Sequence, residues 1–222
     1  RHSFPTRRSS DLHSPTQGTY NWAPGDAIIN FAQTNNMRVH GHTLIWHQQV
    51  PTWVTNFTGT NAEFEAAIKT YVTNVVTHYK GKVASWDVVN EAFNEDGSLR
   101  STIFSQKLGS NYITKIFQWA RAADPNAKLF YNDYNLESNV NKAEAAIALI
   151  NANPTLIDGI GLQMHISLTS PSATVLNTIM DKVVATGKLV HFSELDILVN
   201  PTGSVSSYDY ATAIAQKNKY KE

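Results

Sequence analysis

Two glutamates close apolar runs inside polar and aromatic clusters. Glu91 ends Trp86-Asp87-Val88-Val89-Asn90-Glu91, and Glu194 lies within Phe192-Ser193-Glu194-Leu195-Asp196. Carboxyl groups on two different strands suit glycoside hydrolysis: one acid protonates the leaving oxygen while the other attacks the anomeric carbon or activates water. Three further clusters accompany them: residues 40–49 (HGHTLIWHQQ), Asn132-Asp133-Tyr134-Asn135 and Gln163-Met164-His165. Buried salt bridges explain any single cluster more easily than all of them together.

Other chemistries find less support. Beyond the first thirteen residues histidines occur at His40, His42, His47, His78, His165 and His191, but none form a His-x-x-x-His pair on a helix, and there is no cysteine. No metal and no cofactor are therefore expected. The chain has no Gly-x-Ser-x-Gly nucleophile elbow and no glycine-rich phosphate loop.

These clusters need a scaffold that brings strand ends together. Apolar strands are expected at residues 37–45, 83–90, 128–134, 159–165 and 189–199, each followed by a segment of helical period. The helix over 61–79 places Phe64, Ile68, Tyr71, Val72, Val75 and Val76 on one stripe, behind a Thr60-x-x-Glu63 capping box. Helices over 111–123 (Ile113, Ile116, Phe117, Ala120) and 139–152 are stopped near Pro125 and Pro154. A fourth carries Val175, Ile179, Val183 and Val184 before Gly187, and a last one starts near Ser207 and runs to the C-terminus. Repeated β-then-α units predict an α/β domain with a parallel sheet. Periodicity alone leaves a doubly wound sheet and a barrel equally open. In a barrel, charged residues closing the strands mark the catalytic face.

Lys+Arg and Asp+Glu are equal at 18 each, so no net field draws nucleic acid or an anionic membrane. No apolar run reaches the length of a membrane span. Residues 1–13 share no pattern with the rest; back-translated, they resemble a sequencing adapter. They are expected to be a non-native segment, with 14–222 forming the catalytic unit. Amplification from the source genome checks this, and finding the same codons there would refute it.

The ordered segments GHTLIWHQQVPTWV, WDVVNEAF, KLFYNDYN, DGIGLQMH and SELDI resemble glycoside hydrolase family 10, the retaining xylanases. The resemblance implies a (β/α)8 barrel acting on xylan or xylo-oligosaccharides, secreted and monomeric. It implies Glu91 as acid/base and Glu194 as nucleophile. Asn90 would bond the sugar 2-hydroxyl, and His42, Trp46 and Gln49 would shape the glycone side. Gln163 and His165 would flank the nucleophile, Asp196 would orient His165, and Tyr134 would form a platform on the leaving side. By the same match the five strands are the third to seventh of eight. The barrel is then incomplete, and the chain as written is expected to be poorly stable and weakly active or inactive. A carbohydrate-binding barrel without catalysis, or another retaining glycosidase such as a cellulase, are the rival readings.

Overall fold

The structure, a computed structural model, describes residues 14–200 and 208–221. The segment 1–13 and the expected start of the last helix near Ser207 lie outside the described residues. The elements in chain order are α1 (Ala23–Thr34), β1 (His40–Trp46), α2 (Thr52–Thr55), α3 (Asn61–His78), β2 (Ser85–Asn90), α4 (Ile103–Leu108), α5 (Tyr112–Ala123) and β3 (Lys128–Asp133). They continue with α6 (Val140–Ala152), β4 (Gly159–Leu162), β5 (His165–Ser167), α7 (Ala173–Ala185), β6 (Leu189–Phe192), β7 (Asp196–Leu198) and α8 (Tyr210–Lys219).

Five strands form one parallel sheet in the order β1-β2-β3-β4-β6. Each strand lies beside its predecessor, with no reversal of direction across the sheet. A doubly wound sheet requires such a reversal. Right-handed crossovers repeated in one direction place every helix on the same side, which is barrel winding. The core fills the space between this sheet and the helices: Val88, Leu129, Tyr131, Ile160 and Leu162 from the strands meet Phe64, Ile68, Ile116, Phe117 and Ile150 from the helices, all buried. On α3 the whole expected stripe is buried, and the Thr60 hydroxyl accepts from the Glu63 N–H at 3.2 Å while the Glu63 carboxylate accepts from the Thr60 N–H at 2.8 Å.

The simple period of a strand does not survive near the site. Asp87 pairs with Phe130 and Asn90 with Asn132, so three residues of β2 run against two of β3. This irregularity turns Asp87 and Asn90 to the same face of the sheet, as bulges near active sites do. Across β3 and β4, Asn132 pairs with Gly161, where an added Cβ would come within 2.2 Å of the Asn132 side-chain oxygen. Glycine there leaves the room that Asn132 occupies.

Several elements differ from the sequence expectation. The fourth and fifth strands each break in two. β4 ends at Leu162 and β6 at Phe192, and the outer pieces β5 and β7 pair with one another in a separate two-stranded sheet. Met164 is left-handed (φ 59°) at the first break, which ends regular pairing there. Helix α1 was not expected: only Ile29 and Ala32 of it are buried, while Ile28 and Phe31 are exposed, so its apolar residues form no clean stripe. The short helices α2 and α4 also escape detection, because helices this brief carry too few turns to show a period. On α7, Ile179 and Val183 are buried but Val184 is 63% exposed.

Both β1 and β6 are edge strands among the described residues, and Leu189, Phe192, Leu195 and Leu198 near the β6 edge are 41–54% exposed. Apolar surface left in water contributes nothing to folding, and open edges invite association. An unfolding scan of the 222-residue chain is expected to give a broad transition at low temperature. A sharp cooperative transition at high temperature would contradict this.

Candidate active site

Glu91 follows the last residue of β2 and adopts a left-handed conformation, φ 57°. A non-glycine residue there costs about 1–3 kcal/mol unless its surroundings fix it. Its N–H donates to the Asn132 carbonyl at 3.0 Å. One carboxyl oxygen, Oε1, accepts from the side-chain amides of Asn90 (3.2 Å) and Gln163 (3.1 Å). The other, Oε2, is buried without a hydrogen-bond partner among the described residues.

Glu194 lies in the break between β6 and β7. Its Oε1 accepts from the Asn132 side-chain amide at 3.3 Å, and its Oε2 lies 3.3 Å from Nε2 of His165. The same Asn132 amide donates to Asn90 Oδ1 at 3.0 Å, and the Asn132 oxygen accepts from the Ser193 hydroxyl at 2.7 Å. Glu91 and Glu194 are thus joined through Asn90 and Asn132 by successive hydrogen bonds. Gln163 also reaches Asn90 Oδ1, at 3.4 Å.

Two histidine–aspartate pairs stand around the glutamates. Nδ1 of His165 lies 2.9 Å from Asp196 Oδ2, with the two residues in register across β5 and β7. Burial opposes charge on His165, but the hydrogen bond and charge of Asp196, with the charge of Glu194, raise its pKa above the ordinary value. Nδ1 of His42 lies 2.9 Å from Oδ2 of Asp87. Burial again opposes the charge, and Asp87, Glu194 and Glu91 outweigh it, so His42 is also raised. Burial pushes Asp87 upward, yet the charge of His40 with the hydrogen bond and charge of His42 hold it well below the usual carboxylate range. His40 Nε2 sits 3.0 Å from Asp87 Oδ2 without hydrogen-bond alignment.

The remaining expected residues are placed as follows. Trp46 ends β1, its ring 6.3 Å from that of His42. Gln49 follows in the next turn and lines a small cavity with Trp46 and Trp53. The indole nitrogen of Trp46 is buried without a hydrogen-bond partner among the described residues. Tyr134 lies just beyond β3, where its hydroxyl accepts from Arg100 at 3.1 Å. No group of three or more histidine, cysteine, aspartate or glutamate side chains that could hold a metal ion occurs among the described residues. A larger cavity of about 520 Å³ lies elsewhere, between Tyr20, Trp53 and helix α3. No pair of carboxyl groups converges on it, so chemistry favours the glutamates over that space.

The family model of glycosyl hydrolase family 10 matches residues 9–222. The chain belongs to glycosyl hydrolase family 10. It is 41% identical to endo-beta-1,4-xylanase Xyn10C of Cellvibrio japonicus over 93% of this chain and 37% of that one. It is 44% identical to endo-1,4-beta-xylanase D of Talaromyces funiculosus over 82% of this chain and 46% of that one. A solved structure of a mutant of xylanase 10C from Cellvibrio japonicus, in complex with xylopentaose, superposes with a TM-score of 0.90 at 39% identity, covering 96% of this chain and 46% of the other. The chain spans about half the length, or less, of the curated relatives it matches. Its five-stranded sheet is an incomplete (β/α)8 barrel of the family 10 kind.

Three residues bonded to the glutamates or their neighbours were given no role of their own from sequence: Asn132, Asp87 and Arg100. Asn132 and Asp87 are polar residues inside otherwise apolar strands, and that anomaly was a readable signal. Arg100 lies in an irregular loop where no period exists to violate. A pH test follows from His165. Because its folded-state pKa is raised, its contribution to stability is complete below the ordinary histidine value and is lost as pH rises through the raised value. Asp196→Asn is expected to move the His165 imidazole titration to lower pH in an NMR experiment. It should also flatten the decline in urea midpoint between about pH 5 and about pH 8. An unchanged titration would show that Asp196 does not govern His165.

Proposed function

We propose that the protein is an endo-β-1,4-xylanase that cleaves internal bonds of xylan with retention, through a covalent glycosyl-enzyme. The observation that carries this reading is the hydrogen-bonded run from Glu91 through Asn90 and Asn132 to Glu194, with His165 held by Asp196 against the second glutamate. Retaining enzymes need two carboxyl groups at a short fixed spacing, about 5–5.5 Å, and a rigid amide bridge is a means of fixing one.

The roles follow from surroundings. Glu194 accepts from Asn132 and faces the imidazole of His165, so both oxygens meet donors suited to a carboxylate. It attacks the anomeric carbon, the glycosidic C–O bond breaks, and the leaving oxygen takes the proton of Glu91. Glu91 then removes a proton from water, the water oxygen bonds to the anomeric carbon, and Glu194 is released. The unpartnered Oε2 of Glu91 is the oxygen available to carry that proton. Asn90 keeps one amide hydrogen beyond its bond to Glu91, which serves the sugar 2-hydroxyl. His42, Trp46 and Gln49 line the glycone side, and Tyr134 the leaving side. A polymeric substrate cannot enter a cell, so action outside it, by a monomer, completes the reading.

The test is hydrolysis of xylan and aryl β-xylobiosides by a chain extended to the family's length. Glu194→Ala is expected to abolish turnover. Glu91→Ala should lower kcat/KM by about 10²–10⁴-fold on poor leaving groups, and far less on a dinitrophenyl leaving group, which departs without a proton. Preference for aryl cellobiosides would point to a cellulase. Sugar binding without turnover would point to a non-catalytic barrel.

A further inference from the structure

Arg100 touches neither carboxyl group, yet it closes the loop that carries Glu91. Its Nε donates to the Glu91 carbonyl at 3.1 Å, and its Nη2 donates to the Phe93 carbonyl and to the Tyr134 hydroxyl, both at 3.1 Å. Its own N–H donates to the Ala92 carbonyl at 2.7 Å. From the other side, the Ala92 N–H donates to the Tyr131 hydroxyl at 3.0 Å and the Glu91 N–H to the Asn132 carbonyl. The main chain here has left the sheet in a left-handed turn at Glu91. Such a turn at a residue other than glycine persists only where its surroundings over-determine it. The rigid guanidinium fork supplies much of that determination, since one plane of donors meets two carbonyls and a phenol.

Tyr134 is fixed on a second side. The Nζ of Lys142 stands 3.3 Å from its ring centroid, fully buried and paired with Asp133 at 3.0 Å and Glu95 at 3.1 Å. A shift of the Tyr134 ring is therefore resisted by Lys142 and passed through its hydroxyl to Arg100.

We propose that Arg100 is a positioning residue that sets the direction of the Glu91 carboxyl through its main chain and ties that direction to Tyr134 on the leaving side. The inference rests on the reading of Glu91 as acid/base and Tyr134 as a leaving-side platform. It deepens that reading by making proton delivery depend on a residue outside the carboxyl pair. Delivery needs Glu91 within hydrogen-bond reach of the departing oxygen, and displacements near 1 Å cost on the order of 10²-fold.

The experiment compares Arg100→Ala, Arg100→Lys and Tyr134→Phe with the parent full-length protein. It measures kcat/KM on xylopentaose and on aryl β-xylobiosides of graded leaving-group acidity. Arg100→Ala is expected to lose on the order of 10²-fold on xylopentaose and on the poorest leaving groups, and to change little on the dinitrophenyl substrate. The slope against leaving-group pKa steepens accordingly. Arg100→Lys, which returns a charge but not the fork, recovers a minor part. Tyr134→Phe keeps the ring and removes only the hydroxyl, so it shows the same selective loss to a smaller degree even if Arg100→Ala fails to fold. A uniform loss across all substrates, or none, in an active parent would overturn the positioning role alone. An inactive parent would remove the xylanase reading and this inference with it.

Discussion

Asn132 holds together what the rest of the site depends on. Its single amide nitrogen reaches Glu194 on one side and Asn90 on the other, and its oxygen takes the Ser193 hydroxyl. A buried amide with its capacity used in fixed directions has few alternative orientations, so it behaves as a spacer between the glutamates rather than as a loose contact. The sheet prepares this in two ways. The irregularity in β2 brings Asn90 to face Asn132, and Gly161 on β4 leaves the volume that the Asn132 side chain fills. Neither feature has chemistry of its own, yet both set the spacing on which the chemistry rests.

Charge is the second constraint. Carboxylates taken out of water must be paired, or they neutralise. Asp87 is buried under two histidines, and Asp133 lies between the buried Lys142 and the Tyr131 hydroxyl, 2.5 Å away. These pairs flank the segment around Glu91 on opposite faces of the sheet. Removing one partner would leave an uncompensated charge beneath the site, which is a larger disturbance than losing one contact. The polar density of the strand ends therefore has a structural share: His40, Asp87, Asp133 and Lys142 serve the frame that holds the glutamates.

The sequence reveals the frame better than its joints. The stripe on α3, its capping box and the alternation of strand and helix were all legible, because each follows a period that side-chain burial enforces. The five strand-end clusters were legible for the opposite reason, as polar residues where the period asks for apolar ones. What stayed hidden lies where the chain leaves regular structure. The breaks after Leu162 and Phe192, which free Gln163 and Glu194 from the sheet, are set by tertiary pairing of β5 with β7. Arg100 acts from a loop on main-chain carbonyls, and a bond to a carbonyl leaves no mark on the identity of the residue that accepts it.

The two halves of the site are held by different forces. Glu91 and Gln163 are 6% and 4% exposed, packed among amides and fixed by main-chain bonds. On the other half, the Glu194, His165 and Asp196 side chains are 33%, 41% and 63% exposed at the β6 side of the sheet. Ion pairs that exposed gain little and are screened by salt. The Glu91 half is thus governed by packing and geometry, and the Glu194 half by charge. Disturbances of the core should reach Glu91 first, through the loop that Arg100 closes. Changes of pH or ionic strength should reach Glu194 first, through His165. The proposed double displacement uses both glutamates in both steps, so under that reading each half bears on the whole reaction.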